Sequence, residues 1–344
     1  MRSRSGRRVV RDELVTLAHG AGGKATRDLV EGLFLEELGN DALAPLGDSA
    51  VVAGGERLAF TTDSYVVRPR VFPGGDIGEL AVNGTVNDLA MAGATPRWLA
   101  AGFVIEEGFA VAELRRIVAS MGRAAQRAGV AVVAGDTKVV EHGKGDGLYI
   151  TTAGVGVLAE GVDLGPERIR VGDRVIVSGT LADHGMAVLV ARGDLALEAD
   201  LESDTAPLHE LAAALVSFGS ALRWMRDPTR GGLATALNEL TGAAGLTVVL
   251  DEPELPVRPT VAAACEILGI DPLYVANEGK LVAVVAPEAA EDAVAALRAH
   301  ELGRDAVVVG QVRAEPEGFV VLETVLGGTR IVDLLVGDPL PRIC

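Results

Sequence analysis

Residues 159–173, AEGVDLGPERIRVGD, are rich in turn formers and charge and carry no apolar period. This link divides the chain into two halves. Each half alternates short apolar β-like runs with amphipathic helical stripes. No other feature constrains the fold as much. A chain of 344 residues exceeds what one hydrophobic core usually serves. Alternation on both sides of a link predicts two α/β (α+β) domains, with helices packed on mixed sheets. We place them at 16–158 and 168–322, between a basic arm at 1–15 and a tail at 323–344.

In the first half, helices are expected over 24–38, 76–93 and 111–128, with strands at 49–52, 58–62, 98–105, 130–140 and 148–158. The second half predicts strands at 174–179, 246–250, 280–286, 305–312 and 319–323. Its helices are expected over 207–218, 233–243 and 288–299, with a short apolar helix after His184. Hydrophobic residues make up 49% of the chain and aromatics 3%, so Ala, Val and Leu must build the cores.

The net charge of −17 argues against a nucleic-acid backbone as partner. It leaves ATP open, since a cation neutralises the phosphates. Two cysteines cannot form a disulfide framework, which suits a reduced, cytoplasmic protein. No apolar run of signal-peptide length follows the basic start, and none is long enough to span a membrane.

The chemistry is carried by carboxylates at strand ends and in glycine-rich turns. They are Asp48 in LGDSAVV, Asp63 in TTDSYV, Asp88 in VNDLAMAGA, Asp136 in AGDTKV, Asp227 in RDPTRGGL and Glu278 in ANEGKL. Glycine lets a ligand approach the backbone, and several convergent oxygens suit Mg²⁺. Asp beside Gly is also an ordinary turn residue. HGAGGK offers free N–H groups to phosphate at a helix start, or is a plain turn. Lys138, two residues after Asp136, either neutralises a transferred phosphoryl group or makes a surface ion pair. His184 reads as a cap or packing residue, and Cys265 as core on an apolar helical face. His19, His142, His209 and His300 show no ligand spacing. Cys344 ends the sequence, in PRIC. Taken alone, it is an incidental thiol on a frayed end.

Together, HGAGG, GDSA, TTDSYVV, LAVNGTVNDLAMAGATP, AGDTKVV, DHGMAV, RDPTRGGL, VANEGKL and PRIC give the chain, from about Thr16 to Cys344, a resemblance to a known family. It resembles the hydrogenase maturation (HypE) family of the aminoimidazole-ribonucleotide synthetase-like (PurM/SelD-like) superfamily. The resemblance implies an N-terminal domain that pairs with its twin in a dimeric β-barrel, and a C-terminal α/β sandwich domain. It implies ATP and Mg²⁺ as cofactors. Asp48, Asp63, Asp88, Asp136, Asp227, Thr229, Arg230 and Asn277 would bind the nucleotide, with Asp48, Asp88, Asp136 and Asp227 holding the metal. Lys138, Glu278 and Cys344 would carry the chemistry.

The implied reaction is ATP-dependent dehydration of an S-carbamoyl group on Cys344 to a thiocyanate, supplying cyanide for a [NiFe]-hydrogenase iron. The implied partners are a second copy, the carbamoyltransferase HypF and the HypC–HypD scaffold. Gly337 would act as a hinge for the tail, Pro339 and Pro341 would stiffen it, and Leu340 and Ile343 would set its depth. ADHG departs from the family, which often has glycine before the aspartate. Rival readings are another superfamily enzyme, such as a selenophosphate synthetase or thiamine-monophosphate kinase, and a non-catalytic nucleotide-gated carrier.

Overall fold

The computed structural model describes residues 10, 12–16, 19, 28–40, 57–193, 199–334 and 342–344. The expectations for most of the arm, for the loop 20–24, for Asp48, for the strand at 49–52 and for Gly337, Pro339, Leu340 and Pro341 lie outside these residues.

A π-helical turn, Val30–Phe34, runs into helix α1, Leu35–Leu38. Leu29, Leu33, Phe34 and Leu38 of the expected stripe are buried. Strand β1, Leu58–Tyr65, alternates inward and outward residues and ends on buried Tyr65. The short pair β2 (Val71–Phe72) and β3 (Gly75–Asp76) leads into α2, Ile77–Met91. Asp76 is its N-cap, accepting from the Gly78 and Glu79 amides at 2.8 and 3.0 Å.

Strand β4, Ala94–Glu106, begins where the sequence suggested only a helix end. Pro96 is tolerated because the register slips between Pro96 and Trp98, a bulge that spares its missing N–H. Helix α3, Val111–Arg127, then strands β5, Ala131–Val140, and β6, Leu148–Leu158, complete the first unit. The four-stranded sheet has the order β1-β6-β4-β5, with only β4 and β5 parallel. Leu99, Ala101, Phe103 and Ile105 point inward from β4 to the core that α2 and α3 complete. The opposite face is exposed and carries Leu58, Phe60 and Val104.

The second unit contains β7 (Arg174–Val177), α4 (Asp183–Ala191), α5 (His209–Val216), β8 (Leu222–Arg226) and α6 (Gly232–Ala244). It continues with β9 (Thr247–Asp251), α7 (Pro259–Leu268), β10 (Val282–Val285) and α8 (Ala290–Arg298). Strands β11 (Val307–Arg313), β12 (Val320–Glu323) and β13 (Thr329–Ile331) follow. The sheet order is β13-β12-β9-β11-β7-β10-β8, antiparallel except for β12 on β9.

Both faces of this sheet are covered. Val175, Val177, Val282 and Val284 meet Leu233 and Leu237 of α6. Ile176, Ala283 and Val285 meet Leu211 of α5 and Leu297 of α8. Ala90 and Met91, at the end of α2, are buried in this second core. Helix α2 therefore belongs to both units, which is why nearly all its residues are buried. Cys265, in α7, is core as expected, and burial pushes its thiol up to about 11.

Candidate active site

Four segments converge beside the C-terminal end of α2: the end of β1, the last turn of α2, the loop after β8, and residues 276–280 before β10. They bring Asp63, Asp88, Asp227 and Glu278 into one electrostatic cluster. Asp88 lies near the negative end of its helix dipole, a costly place for a carboxylate. Thr61 Oγ1 donates to Asp88 Oδ2 at 2.7 Å. Burial, and then the Asp63 charge, still raise the Asp88 carboxyl despite that bond. Burial and the neighbouring Asp88 push Asp227 up to about 7. Burial, followed by the charges of Asp227, Asp204, Asp63 and Asp88, holds Glu278 well above the ordinary carboxylate range.

The main chain of Glu278 is fixed from several sides. Its N–H donates to Asp204 Oδ1 at 3.0 Å, and Lys280 Nζ donates to Asp204 Oδ2 at 3.1 Å. Burial would raise Asp204, but Lys280 and the Glu278 N–H outweigh it and hold the carboxyl low. Asn87 Nδ2 donates to the carbonyls of Ala206 and Glu278 at 3.1 and 3.3 Å, and Asn87 Oδ1 accepts from the Leu208 amide at 2.8 Å. One turn earlier, Asn83 Nδ2 donates to Thr205 Oγ1 at 3.2 Å. The i, i+4 spacing places both amides on one helix face, against the second unit. Glu278 Oε1, in contrast, is buried without a hydrogen-bond partner. A side chain with a fixed backbone and an unspent buried oxygen is suited to a proton acceptor.

Asn277 is spent on scaffolding. Its Oδ1 accepts from the Ala182 N–H at 2.8 Å, and its Nδ2 donates to the carbonyls of Pro228 and Val275 at 3.0 and 3.1 Å. It thereby ties the DPTRGG loop to the start of α4. Ala182 has φ of 73°, a left-handed conformation that favours glycine. In the loop, the Thr229 N–H donates to the Asp227 carbonyl at 3.0 Å, while the Arg230 side chain is exposed.

Asp136 and Lys138 are placed apart from this cluster within one chain. Lys138 Nζ donates to Asp136 Oδ1 at 3.0 Å on the edge strand β5, and that bond holds the Asp136 carboxyl low. Asp136 pairs in register with Gly102 and thence with Thr151 and Ser64. Asp63 pairs with Thr152 and Ala101 instead. The two aspartates therefore face opposite sides of the sheet.

Cys344 is held at the end of β1. Its main-chain oxygen accepts from the Val66 N–H at 3.1 Å, one residue beyond Tyr65 and three beyond Asp63. The Arg68 N–H donates to the Arg342 carbonyl at 3.2 Å, and Arg342 Nε donates back to the Val66 carbonyl at 3.0 Å. The chain end thus lies along the continuation of β1. The Ile343 side chain is buried in the first core. His184 Nε2 lies 3.0 Å from the Ile343 carbonyl.

Sequence reasoning missed Asn87, Asp204 and Lys280, and read His184 as a cap or packing residue. Asn83 and Asn87 had a visible signal: two amides four apart in a largely apolar helix. Asp204 had none, because it sits in a loop of ordinary turn composition.

Among the described residues, no three His, Cys, Asp or Glu side chains converge closely enough to hold a metal unaided. Asp88 and Asp227, two neighbouring carboxyls that burial raises, fit a Mg²⁺ whose remaining ligands come from phosphate and water.

Residues 46–158 match the family described as AIR synthase related protein, N-terminal domain, and residues 170–323 match the C-terminal domain. The chain is 56% identical, over 97% of its length and 97% of the relative's, to the carbamoyl dehydratase HypE of Bradyrhizobium diazoefficiens. It superposes with a TM-score of 0.92 on the crystal structure of a hydrogenase maturation protein HypE in complex with ATP, at 45% identity, covering 96% of this chain and 99% of that one. A chain of a HypE–HypF complex matches with a TM-score of 0.79 at 45% identity, covering 91% of this chain and 100% of that one. With both domains matched in order and identity this high along nearly the whole length, the chain belongs to the HypE family of carbamoyl dehydratases, within the AIR synthase related (PurM-like) superfamily.

Proposed function

We propose that this chain dehydrates an S-carbamoyl group carried on its own Cys344, at the expense of ATP, to an S-cyano group that supplies a cyanide ligand to the iron of a [NiFe]-hydrogenase. The observation that carries this reading is the hydrogen bond from Val66 to the main chain of Cys344. It holds a thiol-bearing residue at the end of the strand that carries Asp63. The chain is a carbamoyl dehydratase of hydrogenase maturation, in line with its near full-length identity to such enzymes.

Sulfur holds the carbamoyl group and can later release cyanide. The carbamoyl oxygen attacks the γ-phosphorus of ATP, and ADP leaves with the bonding pair. One N–H proton is lost as the O-phosphorylated imidate forms. The second is lost as the C–O bond breaks, phosphate takes the electron pair and the nitrogen closes the nitrile. Glu278 accepts a proton in this sequence. Its raised pKa makes it a stronger base than an exposed carboxylate. Asp63, Thr229 and Arg230 contact the nucleotide, and Asn277 holds the loop that carries the last two. Asp48, Asp88, Asp136 and Asp227 would hold Mg²⁺, which neutralises phosphate charge when bound.

Lys138 stabilises phosphoryl charge. It shares its sheet face with Phe60, 72% exposed, and Leu58, 52% exposed. An apolar face of this kind supports pairing of two copies, closing the two sheets into a barrel and bringing Lys138 and Asp136 toward a nucleotide. A HypE chain in complex with HypF supports HypF as carbamoyl donor. The HypC–HypD scaffold receives the cyanide, in the cytoplasm. Among the described residues, no helix is long and apolar enough to cross a membrane.

Mass spectrometry of the C-terminal peptide tests the reading. After incubation with HypF and carbamoyl phosphate, Cys344 should carry a carbamoyl group that loses water only when ATP is present. Glu278→Gln should stall at the carbamoyl adduct. Water loss without nucleotide, or by the Gln variant at the native rate, would refute it.

A further inference from the structure

We infer that His184 is a positioning residue for this dehydration: by donating Nε2–H to the Ile343 carbonyl, it sets how far Cys344 reaches into the carboxylate cluster. The inference rests on the reading that Cys344 carries the reacting group.

His184 is fully buried in the first turn of α4. Both of its ring nitrogens are spent. Nδ1 lies 2.8 Å from Ser203 Oγ, and Nε2 lies 3.0 Å from the Ile343 carbonyl. A carbonyl only accepts, so Nε2 must carry the proton. In a neutral ring, Nδ1 then accepts, and Ser203 must donate. Ser203 Oγ already accepts from the Thr205 N–H at 3.1 Å, which leaves its own proton free for His184. Every donor and acceptor in this chain of bonds agrees on one tautomer. The edge-on Phe72 ring, with its centroid 5.5 Å away and at 90°, fixes the plane of the imidazole. Burial, opposed by Asp204 and the Ile343 carbonyl, lowers the ring's pKa below the ordinary histidine value.

A histidine needed only for packing would not direct its one N–H at the end of the chain, 159 residues away. The flanking main chain, at Cys344 and Arg342, bonds to Val66 and Arg68. Without His184, the carbonyl between them, on a residue whose side chain is 2% exposed, loses its donor. A peptide held by hydrogen bonds on both sides has one register. That register places the thiol.

The same Asp204 whose charge acts on His184 also holds the Glu278 amide at 3.0 Å. The loop at 203–205 therefore positions both the base and the substrate-bearing tail. Ser203 and Asp204 are adjacent in sequence, so neither end can shift alone.

The experiment compares His184→Leu and His184→Gln with the native full-length protein, using two readouts. The first is the rate at which iodoacetamide alkylates Cys344 without nucleotide; buried Cys265 serves as the internal control. The second is single-turnover dehydration of carbamoylated Cys344. Loss of one buried hydrogen bond should raise Cys344 alkylation about tenfold in the Leu variant and slow dehydration about tenfold or more. Affinity for ATP should be unchanged. The Gln variant, which keeps an N–H at similar reach, should recover most of both. Unchanged alkylation in the Leu variant overturns the inference, as does dehydration lost together with ATP binding and no recovery by Gln. If the Leu variant does not fold, Ser203→Ala decides: it should raise Cys344 alkylation about threefold, and an unchanged rate overturns the inference. Faster alkylation of the Leu variant, alongside a native protein that never dehydrates its adduct, would sink the functional reading and leave the tail seat standing.

Discussion

Gly279 packs so closely on Asp204 that a Cβ at this position would lie 1.7 Å from the Asp204 carbonyl oxygen. The obstacle is backbone, and it belongs to the residue whose side chain holds the Glu278 amide. Gly279→Ala should therefore destabilise the protein by about 3 kcal/mol or more and displace Glu278. Urea denaturation would show the first effect. Loss of dehydration in the residual folded fraction would show the second.

Asn87 joins the two units through three hydrogen bonds with its side-chain amide. Asn87→Ala should cost about 2–3 kcal/mol, because it strands the Leu208 N–H in a buried place. Asn87→Asp should keep that acceptor but lose both donors and bury a charge. It should be the less stable of the two in a thermal melt at neutral pH.

The Lys138–Asp136 pair is two-thirds exposed on both sides, with side-chain exposures of 66% and 68%. Such a pair contributes little to stability. Lys138→Ala should therefore leave the melting temperature within about 1 °C of native. If Lys138 meets phosphoryl charge, single-turnover dehydration should fall by about a hundredfold or more. A fall in stability of similar weight would instead mark a structural role.

Asp227 is raised from 3.8 to about 7, chiefly by burial and then by Asp88. Between those values the folded state binds more protons than the unfolded chain. The stability of the metal-free protein should therefore fall as pH rises from about 4 to about 7, and level off above. Mg²⁺ with ATP, by stabilising the ionised form, should raise the melting temperature more at pH 8 than at pH 5.5. Calorimetry at several pH values with EDTA, then with Mg²⁺–ATP, checks both signs. Equal ligand effects at the two pH values would contradict the assignment of Asp227 to the cation.

Ala182 occupies a left-handed backbone conformation, φ 73°, at the start of α4. Relief of that strain outweighs the greater chain entropy of glycine. Ala182→Gly should raise stability by about 0.5–1 kcal/mol in denaturant titration and leave dehydration unchanged.

The architecture was legible where period and burial agree. The stripe through Leu29 and Leu33, and the alternation along β6, follow from one buried face each. Strand β8 was not legible, because Leu222–Met225 is buried on both faces and shows no alternation. The start of β4 was hidden by Pro96, whose cost a bulge removes. In the site, Asp63, Asp88, Asp227 and Glu278 stood out as carboxylates beside glycine or at strand ends. Their separation from Asp136 and Lys138 could not be read, since it depends on register across three strand pairings. Nor could the part played by His184. A residue that meets a carbonyl 159 positions away leaves no local trace.

The strip at Val66–Arg68 meets a segment some 276 residues later in the sequence. During synthesis this edge exists long before its occupant does. The seat for Arg342–Cys344 is therefore built from segments made earlier, Val66–Arg68 and His184, and its occupation becomes one of the last steps of folding.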